Sequence, residues 1–428
     1  MKNILKKIKH VYRQVLQSIA FYPVLISFIF FLAAGTALGV DSSVLADTVE
    51  EELPYLFIQD YETARSILST LLGGILSLTV FSFTMVMVVL NQASSNFSPR
   101  LLPGLISNKK HQIILGIYIG TLLFCTIILI SLGAAGVDKS ALGFSTMLAA
   151  LFGLLCIGLF VYFIHNISGA IQIHNIIDRI YERCDHYLET QLKHEPDEKV
   201  ALQYIDTEDW QTFSTDKTGY FRGFDVDLML NSLKDKEMQI VVLPYMNQHI
   251  WKGSPTLKCK GDISEKEKNN LIFCLNISSD RHEEDEGIGG LIKLMEIAVK
   301  AMSPGINDPG TAIDVLTKLG VLLSKFLQLP SLTSTPFKGQ ELILVKNNID
   351  AEELMRVIIQ PIRLYAKKDG SVMYELIKAL QYISKTANIS SAKIQVIHQE
   401  MNAARSDLEK NIDNERDKQR ILSLFEDI

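Results

Sequence analysis

Six small or hydrogen-bonding residues, Ser66, Thr70, Gly73, Ser77, Thr84 and Asn91, recur along one uncharged stretch of the chain. At about 100° per residue they fall within about 40° of a single helical line. Such a stripe supports two kinds of chemistry. Packed against another helix, small residues permit close approach and hydroxyls hydrogen-bond across the contact. Facing water, the same oxygens line a path for ions, and Val80, Phe81, Met87 and Val88 form apolar constrictions that gate by dewetting. A single stripe encloses no lumen, so the second reading needs several copies of the chain.

Two other polar groupings are candidates. His165, Gly169, Gln172, Arg179 and Arg183 share one face if a single helix runs through them, and they fall at the inner edge of an apolar span, where ionisable groups are functional candidates. On the same side Ser98 is placed to cap a helix with Pro99 at its first position, and Arg100 is placed to meet lipid phosphate or an acidic side chain. The third grouping is Ser303, Asn307 and Asp308, ahead of Pro309. With the free amides of a helix start these oxygens suit an anion or a hard cation. Capping by Asp308 is the plainer reading, because one carboxylate is thin for a metal.

Nothing else suggests catalysis. There is no Ser-His-Asp order and no phosphate-cradling loop, since Gly287-Ile288-Gly289-Gly290 lies inside a helical pattern. The five cysteines, Cys125, Cys156, Cys184, Cys259 and Cys274, form no CxxC pair. No metal or cofactor is expected, and an enzyme working through Asn307 and Asp308 on a membrane substrate is a third-ranked reading. No Asp, Glu, Lys or Arg lies deep in an apolar stretch, which argues against a carboxylate-based proton pump or sodium-coupled carrier.

The elements that must position these residues follow from a change in composition. Residues 1–178 carry 19 of the 90 charged side chains in the 428-residue chain, so an apolar half precedes a soluble one. With a net charge of -6 the chain lacks a footprint for nucleic acid. Four stretches are long enough to cross a bilayer: 18–40, 66–91, 112–137, and a fourth from about residue 140 that stays uncharged until Asp178. The third and fourth are joined by a short turn at Asp138 and Lys139. Lys2, Lys6, Lys7, Lys9 and Arg13 precede the first span, acidic residues dominate the loop after it, and Arg100, Lys109 and Lys110 follow the second. Both termini are therefore expected in the cytoplasm of a bacterium, with the chain in its inner membrane. The small residues Ala37-Leu38-Gly39 would suit cleavage of a signal peptide, but the long apolar run favours a retained anchor.

The expected architecture is an α-helical membrane domain of four transmembrane helices plus a cytosolic α+β domain. Its divisions are 1–17, a basic N-terminus; 18–178, the spans; 179–280, a β-rich module; and 281–428, mainly helix. Strands are expected at 200–205, 218–224, 238–243, 256–260 and 271–277, in a small sandwich- or barrel-like module without a carrier lysine. Helices follow at 284–302 and 311–327, a Pro/Ser/Thr-rich link at 330–337, a strand at 342–345, and helices at 351–367 (kinked at Pro361), 372–386 and 390–424.

Two motifs, Ser94-Ser95-Asn96-Phe97-Ser98-Pro99-Arg100-Leu101 and Ser303-Pro304-Gly305-Ile306-Asn307-Asp308-Pro309, together with Ala64-Arg65, resemble a family of predicted bacterial inner-membrane proteins described only as a domain of unknown function. The resemblance spans nearly the whole chain. It implies four spans and a cytosolic domain, with no established activity, and a larger residue where Gly310 stands here. The expected function is an oligomeric, channel-like membrane protein, conceivably cation-conducting, whose partners are the lipid bilayer, further copies of itself and ions. The alternative is a non-conducting membrane-anchored sensor or scaffold.

Overall fold

The computed structural model describes residues 18, 20–41, 43, 51, 57, 58, 60–96, 109–133, 142–170, 172–193, 200–202, 205–233, 236–281, 285–337 and 342–426. The chain divides into two compact units, 1–172 and 173–428.

Among the described residues the N-terminal unit has four long helices: α1 (Phe21–Asp41), α2 (Tyr61–Asn96), α3 (Lys109–Gly133) and α4 (Gly143–Ala170). Each is long and apolar enough to cross a membrane. The turn expected at Asp138 and Lys139 lies outside the described residues. α1 packs on α3, and α2 packs on both α3 and α4. Gly116 and Gly120 of α3, four residues apart, permit the first of these contacts. A β-carbon at Gly116 would stand 2.9 Å from Ile26, and one at Gly120 2.8 Å from Phe30; small residues at this spacing let membrane helices close on each other. Asp41, ending α1, accepts hydrogen bonds from the Phe144 amide at 3.0 Å and from the Ser145 amide and hydroxyl, so it caps α4 from another helix.

The C-terminal unit begins with α5 (Ile173–Lys193), then β1 (Val200–Leu202), β2 (Gln211–Ser214), β3 (Gly219–Phe224), α6 (Val226–Ser232), β4 (Met238–Val242), β5 (His249–Ile250), β6 (Pro255–Lys260), α7 (Glu265–Cys274), β7 (Leu275–Ser278), α8 (Ile288–Ala301), α9 (Pro309–Gln328), β8 (Leu332–Phe337) and β9 (Leu342–Asn347). It ends in α10 (Ala351–Leu354), a π turn (Met355–Ile359), α11 (Gln360–Ala366), α12 (Gly370–Ser384), α13 (Ser391–Asn411) and α14 (Glu415–Leu422). Six strands form a sheet in the order β1-β8-β9-β4-β6-β2, with β4 and β9 parallel and the other pairs antiparallel; β5-β3-β7 form a second sheet. Phe221, Ile250 and Leu275 of the smaller sheet share one apolar core with Ile240, Val242, Leu257 and Leu344 of the larger.

This α+β unit departs from its sequence in five places. The stretch 330–337, read as a link, is strand β8, paired on one side with β9 and on the other with β1. The strand expected over 271–277 starts only at Leu275, because Ser264 and Glu267 form a reciprocal capping box that launches α7 through Cys274. β2 was not expected. The kink expected at Pro361 is a widened turn just before it: the Gln360 amide reaches back five residues to the Met355 carbonyl. A proline ring excludes the carbonyl four residues earlier, and a π turn relieves that clash. The helix expected to run through 390–424 is interrupted, and Asn414 caps its second part.

Candidate functional site

The stripe on α2 is the largest sequence-predicted grouping, and the fold turns all of it outward. Ser66, Thr70, Gly73, Ser77, Thr84 and Asn91 are exposed, as are Val80, Phe81, Met87 and Val88. The buried residues of the same helix, Ala64, Leu68, Ile75, Ser82 and Val89, lie on the opposite side. Among the described residues the stripe packs against no other span of its own chain. Gly73 has open space where a side chain would stand, and Leu76, Ser77, Val80, Phe81 and Thr84 line a shallow groove. Phe81 is braced edge-on against Phe160 of α4, ring centres 5.6 Å apart.

Three of the four stripe hydroxyls are already used as donors. Thr70 donates to the Ser66 carbonyl at 2.8 Å, Ser77 to that of Gly73 at 2.9 Å and Thr84 to that of Val80 at 2.8 Å. A hydroxyl has one proton and two lone pairs. With the proton directed back into the helix, what each presents outward is an acceptor.

The inner-boundary grouping separates. Ser98, Pro99 and Arg100 lie outside the described residues. α4 ends at Ala170 and α5 starts at Ile173, so Gln172 lies between two helices. The expected single face from His165 through Arg183 is therefore corrected: no continuous helix joins those residues. His165 is exposed; its neighbour Asn166 meets His111 of α3 at 3.3 Å instead.

Ser303, Asn307 and Asp308 fold into a capping turn. The Ser303 hydroxyl donates to the Lys300 carbonyl at 2.6 Å, and the Asn307 amide donates to the Ser303 carbonyl at 2.9 Å, with Asn307 in the left-handed region at φ +48°. Asp308 accepts from the Thr311 amide at 3.1 Å and the Thr311 hydroxyl at 2.6 Å. Those two bonds hold its carboxyl below the ordinary value of 3.8, with His174 adding to the effect. His174 lies on α5, where it also stands 3.5 Å from Asp314 of α9. The turn thus joins α8 to α9 beside the start of α5, an arrangement sequence reading missed because it depends on tertiary packing. A β-carbon at Gly310 would meet only the Asp308 carboxylate at 3.5 Å, leaving room for the larger residue that the family resemblance implies.

Burial pushes the Cys184 and Cys259 thiols up to about 12, which disarms both as nucleophiles. Among the described residues no cluster of His, Cys, Asp and Glu is set to hold a metal.

Residues 17–382 match the model of a family described as "Predicted membrane protein (DUF2254)". An uncharacterized protein of Mycobacterium bovis and two of Mycobacterium tuberculosis are each 25% identical over 345 residues, which cover 76% of this chain. The match covers 63% of those relatives' own length. No solved structure matches the chain. The four apolar helices, the α+β unit that follows them and a family match over most of their length place this chain in the DUF2254 family of predicted membrane proteins.

Proposed function

We propose that the protein self-assembles in a bacterial cytoplasmic membrane and that α2, brought together from several copies, lines a narrow path for small cations. The observation that carries this reading is the outward stripe: uncharged, acceptor-presenting and turned away from the other described spans of its own chain. Oxygen acceptors replace part of the hydration shell of a hard cation and do nothing for an anion. Val80, Phe81, Met87 and Val88 interrupt the stripe at two levels, where they close the path when it dewets. The acidic residues Asp47, Glu50, Glu51 and Glu52 concentrate cations at the outer mouth, and the C-terminal unit, on the cytoplasmic side, assembles or gates the path.

The test is purified protein in liposomes, with potassium and chloride flux followed with and without membrane tension. Cation flux is expected, and Ser77→Leu combined with Thr84→Leu should abolish it while leaving the protein assembled. A purified multimer that passes no ion under either condition sinks the conduction reading and leaves a non-conducting scaffold.

A further inference from the structure

The buried side of α2 carries a second row, spaced by seven residues: Leu68, Ile75, Ser82 and Val89, none more than 7% exposed. Three are aliphatic. Ser82, 3% exposed, is the single polar interruption. Tyr118 of α3, fully buried, packs in one cluster with Ile75 and Val89, the residues that bracket Ser82, and its hydroxyl lies beside that of Ser82. Both oxygens are sealed from solvent, and neither completes a hydrogen bond among the described residues. Nearby hydroxyls behave differently: Thr79 and Thr121 each donate to the carbonyl one turn earlier, at 2.7 and 2.8 Å.

An unmet hydroxyl inside an apolar bundle is costly, and these two groups are the partners each other lacks. One polar residue in an otherwise apolar seven-residue seam sets register and rotation, because a single arrangement of the helices pairs it. We propose that Ser82 and Tyr118 form a hydrogen-bonded latch that fixes the rotation of α2 about its axis, and with it the arc of residues α2 turns outward. A turn that parts the pair swings Ser77 and Thr84 out of that arc. The latch operates whether or not the outward stripe conducts.

Thiol labelling of the full-length protein in detergent tests it. The five native cysteines are buried, so their labelling is slow. A cysteine introduced by Ser77→Cys should react at least tenfold faster than one introduced by Ile75→Cys. Tyr118→Phe and Ser82→Ala each remove one oxygen and keep the packing; each should narrow that ratio at least threefold. The double variant should narrow it no further, and Ser82→Thr, which keeps the hydroxyl, should preserve it. An unchanged ratio in both single variants, or narrowing that multiplies in the double, overturns the latch. Should Ile75→Cys not assemble, Leu68→Cys supplies the buried reference position.

Discussion

Asp308 shows what a carboxylate in the C-terminal unit does when its two oxygens are both engaged by Thr311. An N-cap of this kind contributes about 1 kcal/mol. Asp308→Ala should therefore lower the melting temperature of the C-terminal unit at neutral pH, while Asp308→Asn keeps most of the cap. The pH dependence has a definite sign. Because the folded carboxyl sits below its ordinary value of 3.8, its stabilisation is complete above that value and is lost as pH falls through the lower folded one. Melting curves taken along an acid series should show this loss in the parent and not in Asp308→Asn. The motif itself was visible in the sequence, since Asp followed by Pro at a helix start is a local signal. Its neighbour His174 was not, because 134 residues of chain separate it from Asp308 and only the packing of α5 against α9 brings them together.

Among elements, α5 packs against both α8 and α9. Ile176, Ile177, Cys184 and Leu188 are buried, while Lys318 pairs with Asp178 at 3.1 Å and Lys325 with Asp185 at 2.6 Å. The closest approach is at Gly290, where a β-carbon would stand 2.0 Å from the Cys184 sulfur. Gly290→Ala should therefore destabilise the unit by about 1–3 kcal/mol through overpacking. Gly310→Ala, with open space around it, should be neutral or stabilise by up to about 1 kcal/mol. Thermal melts of the two variants side by side check the contrast, and equal behaviour would contradict it. The Gly287–Gly290 run illustrates why part of the fold was not legible. Its composition amounted to a weak nucleotide fingerprint inside a helical pattern, whereas its use is a helix crossing that no local pattern announces. The same holds for β8: Pro, Ser and Thr read as a link, yet pairing with β1 and β9 makes 332–337 a strand, because strand propensity yields to cross-strand context. The spans, by contrast, were legible from apolar length alone, since a bilayer imposes that length on any helix that crosses it.

At the level of the whole molecule, the stripe could be located from the sequence, but not which way it faced. Periodicity places Ser66 through Asn91 on one line; it says nothing of whether that line meets a neighbour. The fold answers for a single chain, and self-assembly is the proposed answer beyond it. Gly73→Cys puts a thiol where, among the described residues, nothing beyond the backbone of its own helix and its chain neighbours lies within 4 Å. Mild oxidation in native-like membranes should then join copies into disulfide-linked dimers, whereas Ile75→Cys, on the buried side, should not. Dimers from both positions, or from neither, would argue against assembly through this face.

The backward-directed hydroxyls of Thr70, Ser77 and Thr84 carry one more consequence. At these three positions a newly inserted polypeptide owes its surroundings no proton acceptor, so there a solitary copy can dwell in hydrocarbon at little cost. Under the proposed self-assembly, insertion and association are thereby separated in time: the outward ridge tolerates acyl chains until the local concentration of copies is high enough for it to exchange them for its own kind.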